Sequence, residues 1–302
     1  MLSEQFLQFK NGPDFVPRHN FKENTEAEVA RYRKELEMNT LPGGVLPEGC
    51  TVEDVSVGGI PCAMICFESA SEDWLMIQIH GGGFAAGGPC VKQGPMIRVG
   101  QDCGINMLSI DYRLAPEYPY PAALEDCVAV YRAVLESGRD PKKIIFAGES
   151  AGATLCLVTN LYAKDHGMPT PAAIVAASPC ADSGISADAR RNFAPDDPLL
   201  DESDELMAFY VADTDPKTPY LSPAYADFTG MPPIFLQCGT DEMLGSDSAM
   251  IYKNCLDANV DILVHAHAWM GHVFFLHAGM YPEADAGLDE IISYVKSVMG
   301  RT

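Results

Sequence analysis

Short, almost wholly apolar runs alternate with longer segments of helical periodicity along most of the chain. Two of these runs, separated by Gly58-Gly59, predict a β-hairpin, and six more follow at intervals that leave room for helices. The predicted strands are residues 52–57, 62–67, 75–79, 107–112, 144–147, 174–177, 234–237 and 262–265. The predicted helices include residues 122–137, 151–164, 246–257 and 285–298. This alternation predicts an α/β fold with a mostly parallel, eight-stranded sheet and helices on both faces.

The N-terminal segment has a different pattern. Thr25 and Glu28 have the spacing of a capping box, and apolar residues then recur at roughly helical spacing, which predicts a helix. Phe6, Phe9 and Phe15 precede this helix on a segment too short to form a core of its own. These aromatic side chains must therefore pack on the rest of the protein.

This change of pattern suggests a division of the chain. We expect residues 1–45 to form an N-terminal helical segment and residues 46–302 to form the α/β domain. Residues 183–220 are acidic and irregular, and no apolar run among them predicts a core strand. We expect this stretch to be an excursion over the sheet.

The charge balance restricts the partners of the protein. The 302 residues include 42 acidic and 20 basic side chains, which gives a net charge of −22 with neutral histidines. Such a field repels nucleic acid and anionic membrane surfaces, so we expect neither as a partner. No apolar run is long enough to span a membrane, and the N-terminus lacks the basic start and apolar stretch of a signal peptide. We expect a cytoplasmic protein.

The ten cysteines are irregularly spaced, and many lie in apolar stretches. No C-x-x-C pair occurs, and no histidine pairing near them resembles a zinc site. We therefore expect buried free thiols, with no metal and no organic cofactor.

The sequence G-E-S-A-G at residues 148–152 is the strongest local indication of chemistry. It lies between a predicted strand and a predicted helix, which is the setting of a nucleophile elbow. The flanking glycines permit a sharp turn that exposes the Ser150 hydroxyl, and the N-terminus of the following helix can stabilise negative charge. Ser150 is the predicted nucleophile.

A second motif, H-G-G-G at residues 80–83, follows the predicted strand 75–79 directly. Glycines without side chains allow backbone N–H groups to approach a substrate oxygen, as an oxyanion hole requires. A flexible glycine-rich turn is the alternative explanation. The spacing fits neither a dinucleotide-binding loop nor a P-loop.

Taken in order, H-G-G-G at 80–83, Y-R-L-A-P-E at 112–117 and G-E-S-A-G at 148–152 form a specific combination. From about residue 45 onward the chain resembles the hormone-sensitive-lipase-like esterases, bacterial family IV of the α/β-hydrolase superfamily. One departure is Ala153, where that family usually has a second glycine after the elbow.

The resemblance implies roles for the residues around the nucleophile. The backbone N–H groups of Gly82, Gly83 and Ala151 would form the oxyanion hole. His80 would orient the glycine loop rather than act as the catalytic base. Residues 1–45 would be the N-terminal cap of a catalytic domain formed by residues 46–302, and the excursion at 183–220 would contribute to that cap.

Two aspartates compete for the role of catalytic acid, which must lie between the serine and the histidine in the chain. Asp197 lies in a D-P-L-L-D sequence that looks like the acid motif of the family, but no strand precedes it. Asp241 directly follows the strand predicted at 234–237, so its carboxylate would lie at the carboxyl end of the sheet. We predict Asp241 as the acid. Glu242 and Asp247 are expected to cap the next helix or to face solvent.

His272 is the predicted base. It follows the last predicted strand and begins an H-x-F sequence that matches the family pattern. His265 and His267 are expected to be ordinary strand residues, and His277 is expected to be structural.

Together these residues predict a serine carboxylesterase that acts on short-to-medium acyl esters through Ser150, His272 and Asp241. The expected partner is a small-molecule ester. Alternatives are a lactone or amide hydrolase with the same triad, or a receptor-like small-molecule-binding protein. The resemblance also suggests a homodimer formed through the edge strand near residues 262–265.

Overall fold

The computed structural model describes residues 2–10, 19–22, 25–38, 46–90, 94–197 and 199–301. The strands are β1 Cys50–Val57, β2 Ile60–Phe67, β3 Ser71–Ile79, β4 Ile105–Ile110, β5 Ile144–Glu149, β6 Ala173–Ala177, β7 Ile234–Gly239 and β8 Ile262–His267. The helices within these ranges are α1 Glu4–Lys10, α2 Thr25–Met38, α3 Gly94–Cys103, α4 Ala122–Glu136, α5 Ala151–Asp165, α6 Ala187–Arg190, α7 Leu200–Val211, α8 Gly245–Asp257 and α9 Pro282–Val298.

All eight strands form one sheet in the order β1-β2-β4-β3-β5-β6-β7-β8. β1 pairs with β2, and β2 with β4, in antiparallel orientation, whereas the remaining pairs are parallel. Every residue of β5, β6 and β7 is buried, which explains their continuous apolar sequences. The predicted sheet of eight mostly parallel strands is confirmed.

Two apolar layers cover the sheet, one on each face. Successive side chains of a strand point to opposite faces, so Ile77 and Phe146 belong to the layer beneath α4, α5 and α8. Their neighbours Met76 and Ile145 belong to the layer beneath α3 and α9. The predicted helices on both faces are therefore present. The parallel strands end at one edge of the sheet, where the loops that carry function lie in such folds.

The stretch 183–220 differs from the expectation of an irregular excursion, because it contains α6 and α7. The buried side chains of α7 include Leu200, Leu206 and Tyr210, whose spacing is helical. Its acidic residues concealed this apolar face from the sequence interpretation.

The N-terminal segment packs on two parts of the sheet domain. α1 lies against α9, where the ring of Phe6 contacts that of Tyr281 with centroids 5.2 Å apart. α2, predicted from Thr25 onward, packs with Val29 against Ala85 and Leu206. Phe15 lies outside the described residues. Within the described part of the chain, no helix has the length and hydropathy needed to cross a membrane.

Candidate active site

Ser150 lies in a sharp turn between β5 and α5. Its backbone has φ 54° and ψ −124°, a conformation that non-glycine residues adopt only where the surrounding structure enforces it. Gly152 is required here because a Cβ atom would lie 2.0 Å from the carbonyl oxygen of Ile79. The strand, turn and helix predicted around the nucleophile are therefore present. This turn directs the hydroxyl of Ser150 toward the loop after β8.

His272, on that loop, contacts both Ser150 and an acidic residue. Its Nε2 lies 2.9 Å from Ser150 Oγ, and its Nδ1 lies 2.9 Å from Oε2 of Glu242. With a proton on Nδ1, the imidazole donates to the carboxylate and accepts from the serine hydroxyl. The structure thus brings the predicted Ser150 and His272 together, and their contact has the geometry of a nucleophile and its base.

The acidic partner differs from the prediction. Asp241 was expected to hold His272, but its carboxylate pairs with Lys10 of α1 and is one-third exposed. Asp241 N donates to Met270 O at 3.0 Å. The turn that contains Asp241 and Glu242, here called the acidic turn, therefore runs alongside the loop that contains His272, here called the histidine loop. Glu242 is buried against His272, whereas the neighbouring Asp241 faces Lys10 and solvent. The structure thus brings Glu242 to His272 and does not bring Asp241 there.

The two acidic neighbours also differ from their predicted roles. Glu242 is fully buried instead of capping α8 or facing solvent. Asp247 is fully buried as well, and its Oδ1 accepts from the backbone of Ala181 and Asp182 and from Arg190. Both carboxylates therefore belong to the interior of the site region.

Burial and mutual contact have opposite effects on the pKa of each member of the pair, and both pKa values are raised in total. Burial raises the pKa of Glu242, and the hydrogen bond and charge of His272 only partly oppose this. Burial by itself lowers the pKa of His272, but the hydrogen bond and the charge of Glu242 outweigh it. The net pKa of His272 is therefore above its ordinary value. A buried carboxylate in contact with one imidazole nitrogen stabilises the imidazolium that forms when the histidine, acting as a base, accepts a proton.

Asp197, rejected as the acid, lies next to the acidic turn. Its Oδ2 accepts from the backbone N–H of Met243 at 2.8 Å, and its Oδ1 accepts from that of Leu199 at 2.9 Å. Its negative charge also raises the pKa of His272. Asp197 thus contacts Met243, the residue that follows Glu242. This contact was not predicted from the sequence.

The glycine loop after β3 has a positive φ at two residues, a conformation that glycine adopts readily. Gly82 and Gly83 have φ 112° and 61°, and a Cβ on Gly82 would lie 2.2 Å from Ala86 O. Gly83, Ser150 and Ala151 line the same cavity. The loop and the start of α5 therefore meet at the nucleophile.

A buried polar chain attaches this loop to the nucleophile turn. Oε1 of Glu149 accepts from the Gly81 N–H at 2.9 Å, and its Oε2 lies 3.4 Å from Nε2 of Gln78. Gln78 in turn accepts from the hydroxyl of Ser109. The residue preceding the nucleophile is thus a structural contact of the loop. An acidic residue at the end of a fully apolar strand was the signal available in the sequence.

His80 is fully buried and stacks on Tyr112, with ring centroids 4.2 Å apart. Its Nδ1 lies 2.7 Å from Gly81 O, and its backbone carbonyl accepts from the hydroxyl of Tyr112 at 2.8 Å. Burial lowers the pKa of His80 to about 4, so the ring is neutral near neutral pH. These contacts connect His80 to the glycine loop and to Tyr112.

Known proteins show what this arrangement resembles. A family model for the alpha/beta hydrolase fold matches residues 76–276. The chain belongs to the α/β-hydrolase family. It is 30% identical over 291 residues to an acetyl-hydrolase of Streptomyces hygroscopicus, which covers 91% of this chain and 97% of that protein. It is also 32% identical over 280 residues to carboxylesterase NlhH of Mycobacterium tuberculosis, with 85% of each covered.

Solved structures place this α/β hydrolase in a narrower group. A hormone-sensitive lipase from a metagenome library matches with a TM-score of 0.82 at 30% identity, covering 97% of this chain and 95% of the other. This hydrolase is therefore a member of the hormone-sensitive-lipase-like esterases, as the three motifs predicted. Its class is that of the serine carboxylesterases, which hydrolyse carboxylic esters.

One cluster in this hydrolase has the donor set of a metal site. His265, His267 and Glu290 each offer a ligand atom, and these atoms lie within 4.8 Å of one another. Oε2 of Glu290 is 2.8 Å from a ring nitrogen of each histidine and 3.2 Å from Nε2 of Gln237. The cluster joins β8 to α9 through these hydrogen bonds. Ser150 makes no contact with it among the described contacts.

Proposed function

We propose that this hydrolase cleaves carboxylic esters with Ser150 as nucleophile, His272 as base and Glu242 as the acid that orients it. The observation that carries the proposal is the continuous contact from Ser150 Oγ through the His272 ring to Glu242 Oε2, at 2.9 Å on each side. Serine hydroxyls are weak nucleophiles until an adjacent base accepts their proton. The described residues supply that base and its partner.

The reaction proceeds in two halves. Ser150 Oγ attacks the carbonyl carbon while His272 Nε2 takes the hydroxyl proton, and the same proton then passes to the departing alcohol oxygen. Water attacks the resulting acyl-serine ester, gives its proton to His272, and releases the acid as the proton returns to Ser150. Glu242 holds the proton on Nδ1 and stabilises the imidazolium formed in each half.

The negative oxygen of each tetrahedral intermediate needs donors. We assign this role to the backbone N–H groups of Gly82, Gly83 and Ala151. Two arguments support the assignment: the left-handed backbone of both glycines, and the common cavity that Gly83 and Ala151 share with Ser150. Removing one such donor typically costs about 2.7–4 kcal/mol of transition-state stabilisation. His80 and Glu149 position this loop through their contacts with Gly81.

The size of the cavity supports small acyl groups. Its volume is about 50 Å³, and its apolar wall includes Ile185, Leu206, Met207 and Leu244. A single water needs roughly 10–15 Å³ on this scale, so the cavity has room for only a few non-hydrogen atoms. We infer a preference for short acyl chains, which agrees with the acetyl-hydrolase among the relatives. The cover over the cavity would consist of α6 and α7 with the N-terminal segment.

A chain-length series tests this function. We would measure kcat/KM for p-nitrophenyl esters from acetate to laurate with the wild-type protein and with Ser150→Ala. We expect the highest values for the short chains, a decrease toward laurate, and loss of turnover in the variant. Equal turnover by Ser150→Ala, or no hydrolysis by folded wild-type protein, would contradict the proposal.

Location and assembly are further parts of the proposal. All ten cysteines are free and eight are buried, which supports a reducing compartment such as the cytoplasm. β8 forms one edge of the sheet and exposes Leu263. A homodimer through this edge stays a prediction, and sedimentation of the purified protein would test it.

A further inference from the structure

Two histidines and a glutamate form a cluster at the edge of the sheet, and no step of the proposed ester hydrolysis requires them. His265 and His267 are two positions apart on β8, so their side chains point to the same face of the sheet. Glu290 of α9 reaches both rings from that face. Since β8 is the last strand in the sheet order, the cluster lies at an edge.

The nitrogen and oxygen atoms of this cluster converge. His265 Nδ1 and His267 Nε2 each lie 2.8 Å from Oε2 of Glu290, and Nε2 of Gln237 approaches the same oxygen at 3.2 Å. A carboxylate oxygen has about two lone pairs, so three N–H groups cannot all donate to it well. A metal ion removes this conflict, because it takes the place of the two ring protons and accepts a lone pair from each ring and from the carboxylate.

The donor set is one that zinc uses in proteins, where two imidazoles and one carboxylate leave a further position for water. Zinc bonds to such ligands are about 2.0–2.2 Å long, which places the ligand atoms of a tetrahedral site roughly 3.4 Å apart. One ligand atom from each of His265, His267 and Glu290 lies within 4.8 Å of the other two. Small rotations of the side chains would therefore bring all three to bonding distance of one ion.

The cluster is accessible to solvent, and its carboxylate is held from within the fold. The side chains of His265, His267 and Glu290 are 22–32% exposed, so an ion can enter and water can complete its coordination. The buried Gln237 lies beside His265 in the register of β7 and β8, and its amide also donates to Gly287 O at 2.9 Å. Outer contacts of this kind orient the ligands of metal sites.

We propose that His265 Nδ1, His267 Nε2 and the carboxylate of Glu290 bind one divalent transition-metal ion of the zinc type. Imidazole favours this class of metal over Mg²⁺ and Ca²⁺, which prefer oxygen ligands. The ion cross-links β8 to α9 where the histidine loop begins, since His267 O also accepts from Thr240 N and Met270 N. This inference does not depend on the proposed function.

Calorimetric titration of the full chain with Zn²⁺ tests the site, after purification without a histidine tag and treatment with a chelator. We expect one equivalent of zinc to bind with micromolar or tighter affinity, and an excess of Mg²⁺ not to compete. Glu290→Gln keeps an oxygen acceptor for both rings but removes the charge of the ligand. We expect Glu290→Gln and His265→Gln each to weaken zinc binding at least about tenfold. Zinc should also raise the Tm of the wild-type protein more than that of either variant.

Two controls separate this site from other zinc ligands of the chain. His166→Gln alters a histidine at the end of α5 whose Nδ1 contacts Tyr162 O. Cys66→Ser removes a free thiol that is partly exposed and could itself bind zinc. Both variants should retain the affinity of the wild-type protein.

Two results would overturn the assignment: no binding of zinc by folded wild-type protein at micromolar concentrations, or unchanged affinity in folded Glu290→Gln or His265→Gln. Loss of binding in Cys66→Ser but not in Glu290→Gln would assign the zinc to the thiols and also overturn it. If one ligand variant does not fold, the other decides. Hydrolysis of p-nitrophenyl acetate by the same samples tests the proposed function separately, so the two failures are distinguishable.

Discussion

The carboxylate of Asp197 accepts a hydrogen bond from the backbone N–H of Met243, at 2.8 Å, immediately after the glutamate that contacts His272. A residue of the stretch between β6 and β7 is thereby connected to the turn after β7. The carboxylate is largely buried, and its charge contributes to the raised pKa of His272. Asp197 is therefore a positioning residue for the acidic turn.

Asp197→Asn should weaken this connection. Its single remaining oxygen cannot serve both backbone donors equally, so we expect a loss of about 1–3 kcal/mol in the free energy of unfolding. If about 1.4 kcal/mol of the lost stabilisation also acts in the transition state of the reaction, kcat/KM decreases about tenfold. Removing the charge should also move the acid limb of the pH profile to lower pH.

The control is Asp227→Asn, which alters an exposed aspartate that accepts from the backbone of Thr229. It should leave kcat/KM and the pH profile unchanged. An equal response of the two variants would show that Asp197 has no specific connection to the site.

The pH dependence of hydrolysis follows from His272. The base must be neutral to accept the Ser150 proton, so activity is lost as the pH decreases through the pKa of His272. The hydrogen bond and charge of Glu242 outweigh burial and hold this pKa above 6.5. We expect the acid limb of kcat/KM to have its midpoint above 6.5, and to shift to lower pH in Glu242→Gln. A wild-type midpoint below 6.5 would contradict this description of the pair.

Gly152 should not tolerate a side chain. A Cβ would lie 2.0 Å from Ile79 O and 2.6 Å from His80 O, so Gly152→Ala must displace β3 and the glycine loop. We expect a loss of about 3 kcal/mol or more in the free energy of unfolding, measured by urea denaturation, together with loss of activity. Gly88→Ala is the control, because no atom lies within 4 Å of its added Cβ. Equal stability of the two variants would be inconsistent with the packing described.

Tyr112 donates to His80 O, and a comparison of two tyrosines tests whether this bond supports catalysis. Tyr112→Phe leaves a buried carbonyl without its donor and should lower the free energy of unfolding by about 1–3 kcal/mol. Tyr131→Phe removes an equivalent bond to Pro169 O, far along the chain from the glycine loop. Only Tyr112→Phe should also lower kcat for p-nitrophenyl acetate. Equal kcat values at similar stability loss would exclude a role of this bond in the oxyanion hole.

Much of the fold was predictable because burial on both faces leaves a clear signal. β5 and β7 consist of apolar runs bounded by turns. α5 begins directly after Ser150, and the glycines on either side of this serine permit its sharp turn. The contact between Ser150 and His272 was predictable in part, since Ser150 directly follows β5 and His272 lies on the loop after β8. α7 was missed because acidic residues on its outer face conceal the apolar spacing of Leu200, Leu206 and Tyr210.

The contact of Glu242 with His272 was not predictable, for a different physical reason. Asp241 and Glu242 follow the same strand, and the sequence does not determine which of two adjacent carboxylates faces inward. The direction is set by the pairing of the acidic turn with the histidine loop, through the bonds of Thr240 N to His267 O and of Asp241 N to Met270 O. Arg190 escaped notice likewise, because its burial depends on contacts with Asp247, which is distant in the chain.

The identity of the acid is the most direct test of the proposed triad. We would measure kcat/KM for p-nitrophenyl acetate with Glu242→Gln and Asp241→Asn, after confirming that both fold. Loss of the acidic partner of a catalytic histidine lowers kcat by roughly 10⁴-fold in other serine hydrolases, so Glu242→Gln should lose on the order of 10³–10⁴-fold. Asp241→Asn breaks only an exposed ion pair with Lys10 and should remain within about threefold of wild type. The reverse pattern would show that Asp241 is the acid and would contradict the triad of Ser150, His272 and Glu242.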